Sequence, residues 1–367
     1  MEAVDLPVDC QLLGFDRETR RKIFYLKADS PFADSQLRAL KVRAERELHA
    51  RTLVVPELAR QSGFTGETEP IAVGYHHVVH KITGFQGEAV AVRSTVSDVF
   101  SEDRGLLLEK FARVWMGGVG RSELVPETLT VKFKKDGVPF DLSILGFSAW
   151  PVLANLGDYV LDDDPRWLFE IGQTMREIHA IDGAGAGLLD VSETDAGLVP
   201  TGVHPQWADY VSLNLVKHAD ICVDACYIEP RQRDRILQLF DHLRAALNDR
   251  PRRLLHGDPG THNICVVPET RRVTTFLDWE DALVGDPLFD VAMVSSFQPE
   301  RRMQPFMKGY GMEFSRKPEQ QLIALYFLRI ALSKTVHRLR FGIVDKPGRS
   351  PGHHRIYRGL DALERSL

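Results

Sequence analysis

Three residues of this 367-residue chain combine types and spacings that could carry a reaction: Asp258, Asn263 and Asp278. The first two lie in His256-Gly257-Asp258-Pro259-Gly260-Thr261-His262-Asn263, an acid five positions before an amide. The third lies in Phe276-Leu277-Asp278-Trp279, fifteen positions after the amide. Leu254-Leu255, Ile264 to Val267 and Val273 to Leu277 are short apolar runs that read as strands around these polar positions. Phosphoryl transfer from a nucleoside triphosphate needs a carboxylate to take the attacking hydroxyl's proton. It also needs hard oxygen ligands for Mg²⁺, which an amide oxygen and a second carboxylate supply. Asp258 is therefore read as the catalytic base, and Asn263 and Asp278 as the metal ligands. Gly and Asp are common in ordinary turns. Three polar roles in order, each set between apolar strands, argue against a turn alone.

His-Gly-Asp-x4-Asn, then Leu277-Asp278-Trp279-Glu280-Asp281 and Gly285-Asp286-Pro287-x2-Asp290, resemble the aminoglycoside phosphotransferase and choline kinase-like family. The groups follow the order of the protein-kinase signatures His-Arg-Asp-x4-Asn and Asp-Phe-Gly. The resemblance spans roughly residues 36–345, and its specific part is the catalytic segment. It implies an α+β, bilobal protein-kinase-like fold, with a small lobe of antiparallel sheet plus helix and a larger, mainly helical lobe. It also implies transfer of the γ-phosphate of ATP (or GTP), with Mg²⁺, to a hydroxyl of a small molecule. That acceptor is an antibiotic such as an aminoglycoside, or a hydroxylated metabolite. By the same resemblance His256 braces the catalytic loop, and Asp290 accepts hydrogen bonds from its backbone. His179 looks like the family's helix-ending histidine and is read as structural. Only 11 residues separate Asp278 from Asp290, with no Ala-Pro-Glu, so a protein kinase's activation loop has no room. The alternative function is a non-catalytic nucleotide-binding regulatory module of the same fold.

A nucleotide must be held opposite those residues, and the stretch upstream is suited to it. Pro70 to His77, Val78 to Thr83 and Glu88 to Arg93 read as successive strands, with Gly84-Phe85-Gln86-Gly87 as a turn. Gly74 to His77 would be the loop over the phosphates, with His76 and His77 as loop or packing residues. Arg93 ends a Val-Ala-Val-Arg string where kinases carry the lysine of Val-Ala-Ile-Lys. A guanidinium is permanently charged and grips two oxygens side by side, so it can replace the lysine with altered geometry. Glu109, sixteen positions on in the helical run Glu102 to Met116, could pair with Arg93. The rival pair is Lys27 with Glu45. It would leave an insertion of about 100 residues before the inter-lobe linker, against the usual short connections. Thr128 to Lys134 and Phe140 to Phe147 read as a hairpin around an Asp-Gly turn. In the family the linker after such a strand binds adenine, which places it near Leu145 and Phe147.

The division expected is a possible hairpin extension over 1–35, a nucleotide-binding lobe over 36–147 and a catalytic, substrate-binding lobe over 148–367. In the extension, Cys10 to Phe15 and Ile23 to Leu26 would be the two strands. Helices are expected over Ser35 to Gln61, from Leu168 to Ile178, over Trp207 to Val223, over Arg231 to Leu247 and over Glu319 to Leu339. Gly183-Ala184-Gly185-Ala186-Gly187 reads as a flexible linker, and residues 345–355 as a basic solvated loop. Glu280, Asp281 and the 204–227 helix are candidates to line the acceptor pocket. A net charge of −5 gives no pull towards nucleic acid or anionic membrane. No apolar run reaches the roughly 20 residues of a membrane span, and the N-terminus lacks the pattern of a secretory signal. Four scattered cysteines suit a reducing cytoplasm, and Cys222-x3-Cys226 finds no second pair to complete a metal site. Oligomeric state is not legible.

Overall fold

The computed structural model describes residues 17–24, 28–29, 33–74, 77–96, 104–190, 199–312, 317–343 and 351–367. Helices α1 (Arg17–Arg21), α2 (Asp34–Arg51) and α3 (Val55–Arg60) lead into β1 (Glu67–Val73), β2 (His77–Thr83) and β3 (Ala89–Thr95). Then come α4 (Leu108–Gly118), β4 (Thr128–Lys132) and β5 (Leu142–Gly146). The strands form one antiparallel sheet in the order β1-β2-β3-β5-β4. Period-two patterning puts Val90 and Val92 of β3 on one face with Ile82, Leu142 and Ile144. That face buries against Val55, Leu58 and Ala59 of α3.

The larger lobe begins with α5 (Val160–Asp163) and α6 (Arg166–Ile178), then β6 (Ala186–Leu189), β7 (Gly202–His204), α7 (Trp207–Val211), α8 (Leu215–Asp224), α9 (Pro230–His242) and α10 (Arg244–Asn248). It continues through β8 (Arg253–Leu255), β9 (Ile264–Val267), β10 (Arg272–Phe276), β11 (Leu283–Gly285), α11 (Leu288–Phe297), α12 (Met303–Tyr310), α13 (Lys317–Arg340) and α14 (Gly352–Ser366). β9 and β10 form a hairpin, while β7, β6, β11 and β8 make a second small sheet in that order. Leu168, Ile171, Met175 and Ile178, the apolar stripe of α6, pack in one core with Phe276, Trp279 and Phe306. Leu108, Ala112, Trp115 and Met116 of α4 join that core. α4 is thus tied to the catalytic hairpin, and it carries Glu109 there. A second core gathers Trp207, Phe289 and Tyr326 with Ile23 and Phe24 from the N-terminal segment.

Several expected elements form differently. The helix expected over Ser35 to Gln61 is two, because Pro56 in the first turn of α3 cannot donate to the preceding turn. The helices expected over Trp207 to Val223 and Arg231 to Leu247 are also split; Asn214 breaks the first with a φ of 56°. Gly183 to Gly187 is not a flexible linker. A Cβ at Gly183 would meet Val284 at 2.6 Å, and one at Gly187 would meet Tyr210 at 2.6 Å, so the stretch is packed into the second sheet. The β4–β5 hairpin closes through a longer loop than an Asp-Gly turn. Asp136 accepts the Phe133 N–H at 2.8 Å and Asp141 accepts the Lys134 N–H at 2.7 Å, which stabilises the wider form. The polar stretch expected to turn the N-terminal hairpin contains α1, and Cys10 to Phe15 lies outside the described residues. Of the basic 345–355 stretch, residues 345–350 also lie outside them, and 352–355 open α14.

α6 and α12 touch backbone to backbone. A Cβ on Gly172 would come within 2.2 Å of the Phe306 carbonyl oxygen, and one on Gly309 within 1.9 Å of that of Phe169. Backbone cannot move aside as a side chain can, so Gly309→Ala should destabilise by about 1–3 kcal/mol or more. Gly118→Ala, at the end of α4 with open space around it, should be neutral or slightly stabilising. Urea denaturation midpoints of the two variants check this contrast.

Candidate active site

The catalytic loop leaves β8 through a turn that only glycine fits. Gly257 has a φ of 84°, and a Cβ there would lie 2.0 Å from the Asp281 carbonyl oxygen. The loop is then tied down by Asp290 in the first turn of α11. Its carboxylate, fully buried, accepts the N–H of His256 at 2.8 Å and of Gly257 at 3.0 Å. His179, the residue capping α6, places Nε2 3.2 Å from the same carboxylate and Nδ1 2.7 Å from the Tyr310 hydroxyl. His256 accepts the Asp258 N–H at Nδ1 (3.3 Å), which leaves Nε2–H to donate to the Leu277 carbonyl at 3.0 Å. Burial lowers its pKa and keeps the ring neutral, the form this two-sided bonding requires. One imidazole thereby joins the loop of Asp258 to the strand end before Asp278.

Asp258, Asn263 and Asp278 come together around that imidazole. Asn263 donates Nδ2–H to the Asp258 carbonyl at 3.0 Å, which orients the amide. Leu277 N–H donates to the Asn263 carbonyl at 2.7 Å, and Ile264 pairs with Phe276. Asn263 and Asp278 therefore flank the same end of the β9–β10 hairpin. Asp278 has a φ of 62°, a conformation an Asp tolerates better than most side chains, and its carboxylate is 45% exposed. The Asp258 carboxylate is nearly buried, with Lys334 Nζ 3.7 Å away on one side and His262 Nε2 3.4 Å away on the other.

Arg93 of β3 faces this group across the boundary between lobes. Its guanidinium lies 2.8 Å from Glu109, 2.5 Å from Glu280, 3.6 Å from Asp278 and 3.1 Å from His77 Nδ1. Burial raises the pKa of Glu109; Arg93 opposes this, while Asp278 and Glu280 reinforce it. Three carboxylates around one guanidinium, one of them half-exposed, leave the site with acid to spare. An amide oxygen and a carboxylate beside such a surplus are a donor set that fits a hard divalent cation sharing its shell with phosphate oxygens.

The remaining nucleotide-side expectations fall in varied places. Gly74 donates its N–H to the His77 carbonyl at 2.8 Å and closes the β1–β2 turn, while Tyr75 and His76 lie outside the described residues. Leu145 is buried in β5 opposite Ala91. Phe147 donates its N–H to the Ala89 carbonyl at 3.2 Å and sits under the Lys81 ammonium. The chain then crosses to the catalytic lobe, where the Val266 N–H donates to the Pro151 carbonyl at 3.0 Å. Lys27 is outside the described residues. Its neighbour Phe24 packs on Tyr210 and Phe289, in the helical core and not against the sheet.

Three residues at the site were not given these places by sequence reasoning. Glu280 was expected to line an acceptor pocket and instead binds Arg93. Lys334 beside Asp258 had a faint signal, a lone lysine in the apolar run Ile330 to Val336. His262 was visible in the loop, but its direction was not. Of the other residues expected as candidates for an acceptor pocket, Trp207, Tyr210 and Asp281 are buried. The cleft beside the catalytic loop, about 340 Å³, is lined instead by Thr261, His262, Phe297, Arg302, Arg355 and Arg358, among others.

With this geometry, the chain can be set beside known proteins. The phosphotransferase enzyme family model matches residues 139–321. Aminoglycoside phosphotransferase APH(4)-Ia superposes with a TM-score of 0.61 at 20% identity, covering 86% of this chain and 99% of that one. A choline/ethanolamine kinase family protein from Mesorhizobium loti superposes with a TM-score of 0.54 at 18% identity, covering 88% and 94%. The fold is thus the bilobal α+β fold of these kinase-like proteins. Curated relatives match over shorter stretches. Human (Homo sapiens) acyl-CoA dehydrogenase family member 11 is 38% identical over 81 residues, 22% of this chain and 10% of that protein. Hygromycin-B 4-O-kinase of Escherichia coli is 28% identical over 138 residues, 36% of this chain and 37% of that protein. The matches span about a tenth of the first relative's length and just over a third of the second's.

Burial also lowers the pKa of His80, His204 and His218 below the ordinary 6.5, as it does for His256. Below that value the unfolded chain binds protons that the native chain refuses, so stability should fall as pH drops. Urea midpoints between about pH 7.5 and 5.5 should decline, and a flat profile would contradict the neutral-histidine account.

Proposed function

We propose that the chain is a Mg²⁺-dependent phosphotransferase that moves the γ-phosphate of ATP, or GTP, to a hydroxyl of a small molecule. The observation that carries this reading is the convergence of Asp258, Asn263 and Asp278 at one end of a hairpin, with Arg93 and Glu109 facing them. Solved structures of the same fold were obtained with AMP-PNP and hygromycin B bound, which supports a nucleotide and a hydroxylated acceptor here.

In this mechanism Asp258 hydrogen-bonds the acceptor hydroxyl and takes its proton as the acceptor oxygen bonds the γ-phosphorus and the bridging oxygen leaves on the nucleoside diphosphate. Asn263 Oδ1 and the Asp278 carboxylate would hold Mg²⁺, which when bound neutralises charge on the phosphates. Arg93, fixed by Glu109, contributes a cation towards the phosphates. Lys334, with its ammonium 3.7 Å from Asp258, orients that carboxylate. His256 and Asp290 hold the loop in shape throughout.

Asp258→Asn should lower kcat about 10²–10⁴-fold with nucleotide affinity retained. Asp278→Ala and Asn263→Ala should raise the Mg²⁺ concentration needed for half-maximal rate. A steady-state assay of nucleoside diphosphate release across hydroxylated acceptors, with a Mg²⁺ titration, measures all three. Nucleotide binding without transfer to any acceptor would favour a regulatory module instead.

A further inference from the structure

The cleft on the acceptor side of Asp258 has a charge character of its own. His262 forms the partition: Nε2 faces Asp258 at 3.4 Å, and its ring meets Phe297 edge-on at 5.6 Å on the cleft side. The Lys334 ammonium lies 3.8 Å over the same Phe297 ring and 3.7 Å from Asp258. The cleft and the base are therefore neighbours through two shared side chains. Arg355 and Arg358 of α14 stand three positions apart, so one helix face presents both guanidinium groups to the cleft. Arg302, the third, is held by Asp162 at 2.6 Å and by the Asp158 carbonyl at 2.9 Å, so it is largely committed to the fold. Asp158 is the one acid among the described lining residues.

Arg358 has a different set of neighbours. It lies 4.4 Å over the Phe327 ring and reaches the Ser295 carbonyl at 3.4 Å, and among the described residues no carboxylate forms an ion pair with it. Desolvation lowers its pKa, and the charge of Glu300 opposes this. A guanidinium stacked on an aromatic face keeps its outward N–H fork for a planar or tetrahedral oxyanion. A cationic acceptor, by contrast, would enter beside two arginines and meet repulsion.

We propose that the acceptor of the phosphotransferase reaction carries an oxyanion, a phosphate or a carboxylate, that Arg358 and Arg355 bind while its hydroxyl reaches Asp258. This rests on the phosphotransferase reading and narrows it to a substrate class opposite in charge to an amine-bearing antibiotic.

The test is a matched panel of acceptors offered to the full chain with ATP and Mg²⁺. Phosphate-bearing alcohols and hydroxycarboxylates are set against the same skeletons with the anion removed, amidated or replaced by an amine. The two anionic arms distinguish phosphate from carboxylate as the recognised group. Preference for the anionic members is expected, with KM for them raised at least tenfold in Arg358→Glu and less in Arg358→Gln, and kcat changed far less. Equal or better use of the neutral or amine members overturns the proposal, as does an anion preference untouched by Arg358→Glu. In both cases the transferase reading stands. Absence of transfer to every member of the panel removes both readings together. Melting temperatures of the two variants, expected near that of the parent because Arg358 is exposed, separate lost binding from lost fold.

Discussion

The buried carboxylate of Asp290 is the constraint on which the site depends. It collects two backbone N–H groups of the catalytic loop and the ring of His179, so donors from two separate parts of the chain converge on one carboxylate. Hydrogen bonds to a charged group contribute about 1.5–3 kcal/mol each, and an uncompensated buried charge costs about 3–5 kcal/mol. The loop is therefore held where its N–H groups can reach Asp290, and the left-handed turn at Gly257 is what lets it reach. Asp258 inherits its position from this arrangement.

His256 extends the same bracing to the other half of the site. Its two ring nitrogens bond in opposite senses, to Asp258 N–H and to the Leu277 carbonyl, and its ring packs between Phe276 and Trp279. Asp258 and Asp278 are thus braced by one imidazole. Arg93 faces this group from the other lobe, linked to it through Glu280 and Asp278 and to α4 through Glu109. Because α4 packs with the catalytic hairpin, the Arg93–Glu109 pair is a joint between the lobes as well as, in the proposed mechanism, a cation for phosphates. An arginine suits this joint better than a lysine would, since its fork can satisfy several carboxylates at once.

The acceptor side follows a different rule. The walls of the cleft beside Asp258 include Phe297 at the end of α11 and Arg355 and Arg358 of α14, residues that belong to no motif. Their arginines give the cleft a sign that the overall charge of −5 conceals. Net charge sums over a whole surface, whereas a ligand responds to the few groups that line its cleft.

Much of the site was legible in order and spacing. Asp258, Asn263 and Asp278 were identifiable because strand-flanked polar residues at short separations depend on local geometry, which a sequence encodes directly. The strands of the sheet, the α6 stripe and the Arg93 to Glu109 interval were legible for the same reason, as period-two or period-3.6 patterns. Legibility ended wherever distant segments meet. Glu280 turning to Arg93, Lys334 arriving at Asp258 from α13, and Arg355 and Arg358 facing the cleft from α14 all depend on long-range packing. The glycines of 183–187 looked like a loose linker because glycine marks both flexibility and close contact, and only the packed neighbours tell which applies. The sequence by itself determined which chemical groups stand together along the chain. Tertiary structure alone decided which groups from elsewhere complete them, because that depends on how segments distant in the chain stack on one another in the cores.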